Sequence, residues 1–511
     1  MAAVALLSLA ACSGGAVNEE GRGDISARVF ASGYADLERI YIEDVEIDNL
    51  ALAGVEGLSD IDPEITIVRQ GQSVQLAVRG ETAGLYHAPA EADTRGWGQL
   101  TDSAVRRLST LSPALAQADS ERIYESVFDA VAENLDEYSR YASRREAQEN
   151  RANRDGFGGV GIRIGVVSEG VAVQKVMQGM PAERAGLQAG DLIVAIDGVS
   201  AAGIDRRGAV KALRGPISTE VRLTILREAE QLSIGVVRNF IVPQTVSWRR
   251  RDDVLILRVE GFNHDTTRAL QVAVAEAVEA ADKPFVGMVL DLRGNPGGLL
   301  DQAVSVSDLF LDCGVIVTTY GRHPDSRQKF SAQPHNLLRD LPMVVMIDGD
   351  SASASEIVAA ALQDNDRALV SGTVSYGKGS VQTLLRLPNE GELTLTWARF
   401  HAPSGYSLSG RGVLPDVCTS GTLAAGEALA SAGYRHRRHI NRRAVIDDRD
   451  QASLAGFRAN CPPEKAEKDQ DLEGALRLLH DRRLYRQLMS RDMASLPNQG
   501  GCRLPLCGGW P

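Results

Sequence analysis

Between residues 243 and 420, short apolar runs alternate with helix-patterned stretches, and this alternation constrains the fold more than any other feature of the chain. The apolar runs are Leu255–Val259, Val286–Leu290, Val315–Thr319, Met343–Ile347 and Ala368–Val370. Helical spacing marks 265–281, 299–311 and a stretch that begins at Ala354. This order predicts an α/β domain with a largely parallel sheet. Chemistry in such sheets gathers beyond the C-terminal ends of the strands. Two polar segments fall there, Gly294-Asn-Pro-Gly-Gly298 and Ser351-Ala-Ser-Ala-Ser355.

At 511 residues and 44 % apolar composition, the chain has room for about three or four domains. Residues 1–12 form an apolar run ending in Leu9-Ala-Ala-Cys12, too short to span a bilayer. The run resembles a bacterial lipoprotein signal, which would make Cys12 the lipidated first residue of a protein anchored in the periplasm. Residues 13–27 read as a tether. Residues 28–155 form a mainly helical region, with a helical pattern over 28–62, a hairpin at 65–78, a loop over 80–99 and an apolar helix face at Ile123, Val127, Val131 and Leu135. From 156 to 241, short strands (Val160–Ile164, Val171–Val176, Leu192–Ile196, Val221–Leu226) separated by glycine turns predict a compact β-rich domain. The α/β core then occupies 242–420. Residues 421–511 are charged and mainly helical, and no chemistry is assigned to them.

A net charge of −12 and the lack of a long basic block argue against nucleic acid or an anionic lipid surface as the main ligand. Apart from Cys12 the cysteines are Cys313, Cys418, Cys461, Cys502 and Cys507. An oxidising periplasm could pair some of them; Cys502 and Cys507 bracket a proline-containing turn and are favoured, though spacing leaves other pairings open. The segment His436-Arg-Arg-His439 has no carboxylate or thiol nearby and reads as a basic helix face, so no metal site is expected.

The serine cluster has two readings. Ser353-Ala-Ser-Glu356 matches the capping box, in which the serine oxygen accepts an orphan amide and the glutamate reaches back. The same position at a helix N-terminus favours developing negative charge, as a nucleophile requires. A nucleophilic serine needs a base, and none of the eight histidines sits in a distinctive motif. A lysine can serve if burial strips its proton, moving it from about 10.4 toward roughly 7–8. Lys378 lies in Ser375-Tyr-Gly-Lys-Gly-Ser-Val-Gln382, flanked by glycines, in a chain with only seven lysines. Arginine could not replace it, because a guanidinium stays protonated. A solvated loop lysine is the alternative.

Four segments in order, Asp291-Leu-Arg-Gly-Asn-Pro-Gly-Gly298, Ser351-Ala-Ser-Ala-Ser-Glu-Ile357, Tyr376-Gly-Lys-Gly-Ser-Val-Gln382 and Gly412-Val-Leu-Pro-Asp416, together with Leu135-Asp-Glu-Tyr-Ser-Arg-Tyr141, resemble the motifs of carboxyl-terminal processing peptidases, the tail-specific proteases of family S41. The resemblance implies a ClpP/crotonase-like α/β peptidase core with an inserted PDZ domain and helical N- and C-terminal regions. It also implies a Ser/Lys dyad, with Ser353 as nucleophile, Lys378 as base and Gln382 orienting the lysine. The backbone N–H groups of Gly298 and Ala354 would form the oxyanion hole, and Ser351 and Ser355 would be supporting residues. Gly294 stands where many relatives carry a larger polar residue, and Pro296 lies inside the oxyanion turn. Gly158, Gly159, Val160, Gly161 and Ile162 would be the loop that receives a peptide's terminal carboxylate.

The leading expectation is therefore a serine endopeptidase of the bacterial cell envelope. It would bind apolar C-terminal tails of proteins or peptides through its PDZ domain and cleave through an acyl-enzyme, with no cofactor. A homo-oligomer or an adaptor protein stays open. The alternatives are an inactive PDZ scaffold and, through the crotonase-like core, an enzyme acting on acyl-coenzyme A.

Overall fold

The structure, a computed structural model, describes residues 19–177, 179–334, 336–420, 446, 450–463 and 470–489. Cys12, His436, His439, Cys502 and Cys507 lie outside them. The described residues form two compact units. The smaller holds those up to Ala147, with Arg322–Pro324 and Gln382–Trp397; the larger holds Gln148–Gly321, Asp325–Val381 and those from Ala398 onward.

The smaller unit packs helices Glu19–Ile40, Ile47–Glu56, Thr94–Ser109 and Ser120–Glu133 around Phe30, Tyr34, Trp97, Val127 and Phe128. The first helix begins within the expected tether, at Glu19. Glycines inside a helix cost only about 1 kcal/mol each, and the buried stripe Val29, Phe30, Tyr34 and Leu37 supplies the packing that holds it. The loop expected over 80–99 contains a strand, Glu81–His87, antiparallel to Ser73–Val78. Only Ala83 of that strand is buried, so it carries no alternating apolar signal. Within the Leu135–Tyr141 motif, Asp136 Oδ1 accepts the Tyr138 N–H at 2.8 Å and the Thr396 hydroxyl at 3.0 Å.

In the larger unit, the β-rich domain has strands in the order Glu230–Val237, Glu220–Arg227, Leu192–Ile196, Gly170–Val176 and Ile162–Val167. Ile162–Val167 is an edge strand. The run expected at 160–164 is interrupted by Gly161, which turns the chain at φ +80°. Phe157–Gly159 pairs separately with Asn239–Ile241. Helix Arg206–Leu213 contributes Ala209 and Leu213 to a core with Val171, Ile193 and Leu223.

The α/β core is built on six strands in the order Val246–Arg251, Val254–Val259, Gly287–Asp291, Met343–Ile347, Leu369–Gly372 and Val417–Cys418. All neighbours are parallel except the first pair. Gly287–Asp291 and Met343–Ile347 are buried along their whole length, as strands covered on both faces are. Val315–Tyr320, expected in this sheet, pairs antiparallel with Gln328–Ser331 and Arg399–His401. It mixes buried with partly exposed positions and ends on the exposed Tyr320, and so does not suit a doubly covered site.

The C-terminal region adds a structural layer. Helices Gln470–His480 and Arg482–Met489 place Leu472, Leu476, Leu479 and Leu488 against Val254, Val289, Val344 and Leu369. A disulfide joins Cys418, on the last strand, to Cys461, just beyond helix Gln451–Arg458, a pairing that sequence spacing did not single out. No helix among the described residues is long and apolar enough to cross a membrane.

Candidate active site

Strand Met343–Ile347 ends at Asp348, and the chain enters helix Ala354–Asp364 through the three serines. They are not equivalent. Ser351 and Ser355 are fully buried, and their hydroxyls donate to the carbonyls of Leu292 and Asn295, each at 2.9 Å. Ser353 alone is partly exposed. It has φ +56° and ψ −114°, a conformation that costs a non-glycine residue about 1–3 kcal/mol. The outer serines thus anchor a turn that presents the middle one.

The glycine-rich turn after strand Gly287–Asp291 lies against this elbow. Gly294 N–H donates to Asp348 Oδ1 at 2.8 Å, and Ala352 N–H donates to the Asn295 carbonyl at 3.0 Å. Asn295 is fully buried; its Oδ1 accepts the Gly297 N–H and its Nδ2 donates to the Val259 carbonyl, both at 2.9 Å. Gly294, at φ +67°, meets nothing nearer than Arg258, so backbone angle and not space favours glycine there. Gly297, at φ +102°, is limited by both: a Cβ would lie 2.7 Å from the Ala352 carbonyl oxygen and 2.8 Å from Ser353 Cβ. The flanking bonds are Phe262 N–H to Gly297 carbonyl at 3.0 Å and Leu299 N–H to Phe262 carbonyl at 2.9 Å. Among the described residues, neither the Gly298 N–H nor the Ala354 N–H has a protein acceptor.

Glu356 ties the elbow to the loop of Lys378. Its side chain is fully buried. Oε2 accepts the Ser353 N–H at 2.7 Å and the Lys378 N–H at 3.0 Å, while Oε1 accepts the Gly377 N–H at 2.7 Å and the Ser375 hydroxyl at 2.5 Å. Burial pushes the Glu356 carboxyl up from its ordinary range, and the four donated bonds pull it back. Ser375 Oγ itself accepts the Val413 N–H at 2.7 Å, which leaves its proton for the carboxylate. The capping box read from the sequence is present: the glutamate reaches back to the Ser353 N–H, and the Glu356 N–H faces Ser353 in turn, donating also to its carbonyl at 2.9 Å. Lys378 is half-buried between the buried Gly377 and Gly379, and Tyr376 N–H donates to the Ser351 carbonyl at 3.0 Å. Gln382 belongs to the smaller unit, where its amide donates to Thr396 Oγ1 at 3.3 Å.

At the end of strand Gly287–Asp291, burial works to raise the Asp291 carboxyl, but the Arg293 and Arg258 guanidiniums, at 2.8 and 2.9 Å, hold it below its ordinary value. In the Gly412–Asp416 motif, Asp416 Oδ2 accepts the Val370 N–H at 2.9 Å.

In the β-rich domain, Gly159, Val160, Gly161 and Ile162 line a cavity of about 220 Å³, with Ile164 from the edge strand and Val210 and Leu213 from helix Arg206–Leu213. Gly158 does not line it; its carbonyl accepts the Gly215 N–H at 3.1 Å, and a Cβ would collide with the Gly215 carbonyl.

Residues 253–419 match the model of peptidase family S41, and residues 148–226 match that of the PDZ domain. A carboxy-terminal-processing protease of Bartonella bacilliformis is 41% identical over 304 residues, which is 58% of this chain and 70% of the relative. The chain belongs to peptidase family S41. A probable CtpA-like serine protease of Staphylococcus aureus is 32% identical over 302 residues, or 58% of this chain and 60% of that one. Among solved structures, a photosystem II D1 C-terminal processing protease is 23% identical, with a TM-score of 0.38, covering 76% of this chain and 92% of its own. The S41 peptidase domain thus carries an inserted PDZ domain, and the family is that of the carboxy-terminal-processing serine proteases.

Several residues of the site were not singled out from sequence. Asn295, Asp348 and Ser375 act through backbone groups distant in the chain, and no spacing announces that. Glu356 was visible only as a capping residue; its reach to Gly377 and Lys378 depends on tertiary packing.

Proposed function

We propose that this S41 protein is a serine endopeptidase that captures free C-terminal tails in its PDZ groove and cleaves through an acyl-enzyme. Ser353 Oγ attacks the scissile carbonyl carbon as its proton passes to the neutral amine of Lys378. The oxyanion lies between the N–H groups of Gly298 and Ala354, each such donor being worth about 10²–10³ in rate. The protonated lysine then gives its proton to the departing amine, leaving an ester on Ser353, and water attacks that ester by the same route in reverse. One observation carries the reading: Glu356 Oε2 accepts from the backbone of both Ser353 and Lys378, so a single buried atom fixes nucleophile and base segments together.

The groove supports the tail-binding half. Edge strand Ile162–Val167 can pair with an added peptide strand, Gly159–Ile162 offer backbone N–H groups to a carboxylate, and Val210 and Leu213 give an apolar floor for the last side chain. The protein acts in the bacterial cell envelope, on the periplasmic side, anchored by lipid at Cys12.

The test compares the parent protein with Ser353→Ala on an internally quenched peptide with an apolar free C-terminus. Hydrolysis by the parent and none by the variant supports the assignment. Equal hydrolysis removes Ser353 from it, and no hydrolysis by either protein favours a PDZ scaffold.

A further inference from the structure

We propose that Arg458, from the C-terminal region beyond the residues matched by the S41 model, is a positioning residue for Lys378, held in place by the Cys418–Cys461 disulfide. The proposal rests on the Ser353/Lys378 reading above and adds a component to it.

The Arg458 guanidinium is half-buried and donates through Nη1 to the Ser375 carbonyl at 2.9 Å and to the Arg411 carbonyl at 3.2 Å. Ser375 is the residue whose hydroxyl donates to Glu356, and two residues on, Gly377 donates to the same carboxylate. Arg458 therefore grips the far side of the loop that Glu356 grips from within. The approach is close: a Cβ on Gly377 or on Gly412 would lie 3.2 Å from Nη1, so a side chain at either position would crowd the guanidinium. Both glycines also sit at positive φ, 94° and 72°.

The tether follows three residues later. The Cys461 carbonyl accepts the Val374 N–H at 3.2 Å, and its sulfur bonds Cys418 at the end of the parallel sheet. Phe457 and Cys461 share a buried cluster with Val374, Leu414 and Cys418. The buried Arg411 guanidinium stacks between Tyr406 and Phe457, 4.7 and 4.6 Å from the ring centroids. The eight-residue helix buries Leu454 and Phe457, and the disulfide adds a covalent tether three residues beyond Arg458. With it, the guanidinium stays within reach of the Lys378 loop. The expected role is to fix the Ser375–Lys378 backbone, which sets where the lysine nitrogen can be.

The test uses the full chain in two readouts. Amide hydrogen exchange over residues 374–379 reports the loop independently of activity, and kcat and KM on the quenched peptide report its consequence. Arg458→Ala is expected to speed exchange of that segment about tenfold and to lower kcat about tenfold with KM little changed, the loss of a charge-assisted hydrogen bond. The double variant Cys418→Ser, Cys461→Ser, which keeps Arg458, should move both readouts the same way. Arg458→Lys should recover part of each; it and the double variant carry the test if Arg458→Ala does not fold. Parental exchange over 374–379 in the folded variants would overturn the proposal, whatever the activity. Faster exchange without any hydrolysis by the parent would leave the anchor standing and remove the peptidase reading instead.

Discussion

Ser353 and Lys378 share one hydrogen-bond acceptor: the backbone N–H of each, at 2.7 and 3.0 Å, points to Oε2 of the buried Glu356. The Ser353 and Lys378 segments are therefore tied through one buried carboxylate, beside the direct bond from the Tyr376 N–H to the Ser351 carbonyl at 3.0 Å. Glu356→Gln removes the charge and turns one acceptor into a donor facing N–H groups. Leaving such donors unpaired in the interior costs about 1–3 kcal/mol each. The variant should lose about 2 kcal/mol or more in denaturant unfolding and at least tenfold in kcat. Parental values of both would show that the shared oxygen does not organise the site.

The turn at Gly297 makes a separate prediction. Its φ of +102° and the closeness of Ala352 and Ser353 leave no room for a methyl group. Gly297→Ala should shift the neighbouring Gly298 N–H and lower kcat by about 10²–10³, the scale of a lost oxyanion donor. KM should change little under the proposal that tails are captured in the PDZ groove. A loss seen in KM alone would argue against a role for this turn in the chemical step.

Tail binding can be read without cleavage. In a Ser353→Ala background, a peptide ending in valine with a free carboxylate should bind more tightly than its C-terminal amide. Val210→Glu, which puts a charge on the floor of the groove, should weaken the free-acid peptide by about tenfold or more. Equal binding of acid and amide in calorimetry would mean that Gly159–Ile162 do not receive a carboxylate.

The C-terminal layer carries a pH signature. His480 Nε2 and Asp253 Oδ1 are 2.6 Å apart; that bond raises the imidazole above its ordinary value and lowers the carboxyl. Because the folded-state value of His480 is raised, its contribution is full below the ordinary imidazole range and is lost as pH rises through the raised value. The pair is substantially exposed, so the effect is about 0–1 kcal/mol. A thermal melt should fall slightly between pH 6 and pH 9 in the parent, and this step should vanish in His480→Ala. An identical step in the variant would assign the pH dependence to other groups.

Legibility in the sequence followed local physics. Strand Met343–Ile347 is buried on both faces and so appears as an unbroken apolar run. The motif glycines and serines could be located because turn and cap chemistry is local. Glu81–His87 could not be, since one buried side chain makes no pattern. Val315–Tyr320 was legible as a strand but not as a member of a second sheet, because pairing is decided by partners far away in the chain. The same applies to the site. Ser353 stood out by its neighbours, whereas Ser375, Asn295 and Arg458 contribute through hydrogen bonds to residues dozens of positions away.

The most direct measurement is the pH dependence of kcat/KM for Lys378→Arg beside the parent, on the same quenched peptide, with intact mass after a peptide fluorophosphonate to count modified Ser353. The parental rate should climb as an amine is deprotonated, and the variant should be folded, unmodified at Ser353 and at least about 10³-fold slower at every pH. A folded variant with parental turnover and full labelling would contradict the Ser353/Lys378 dyad.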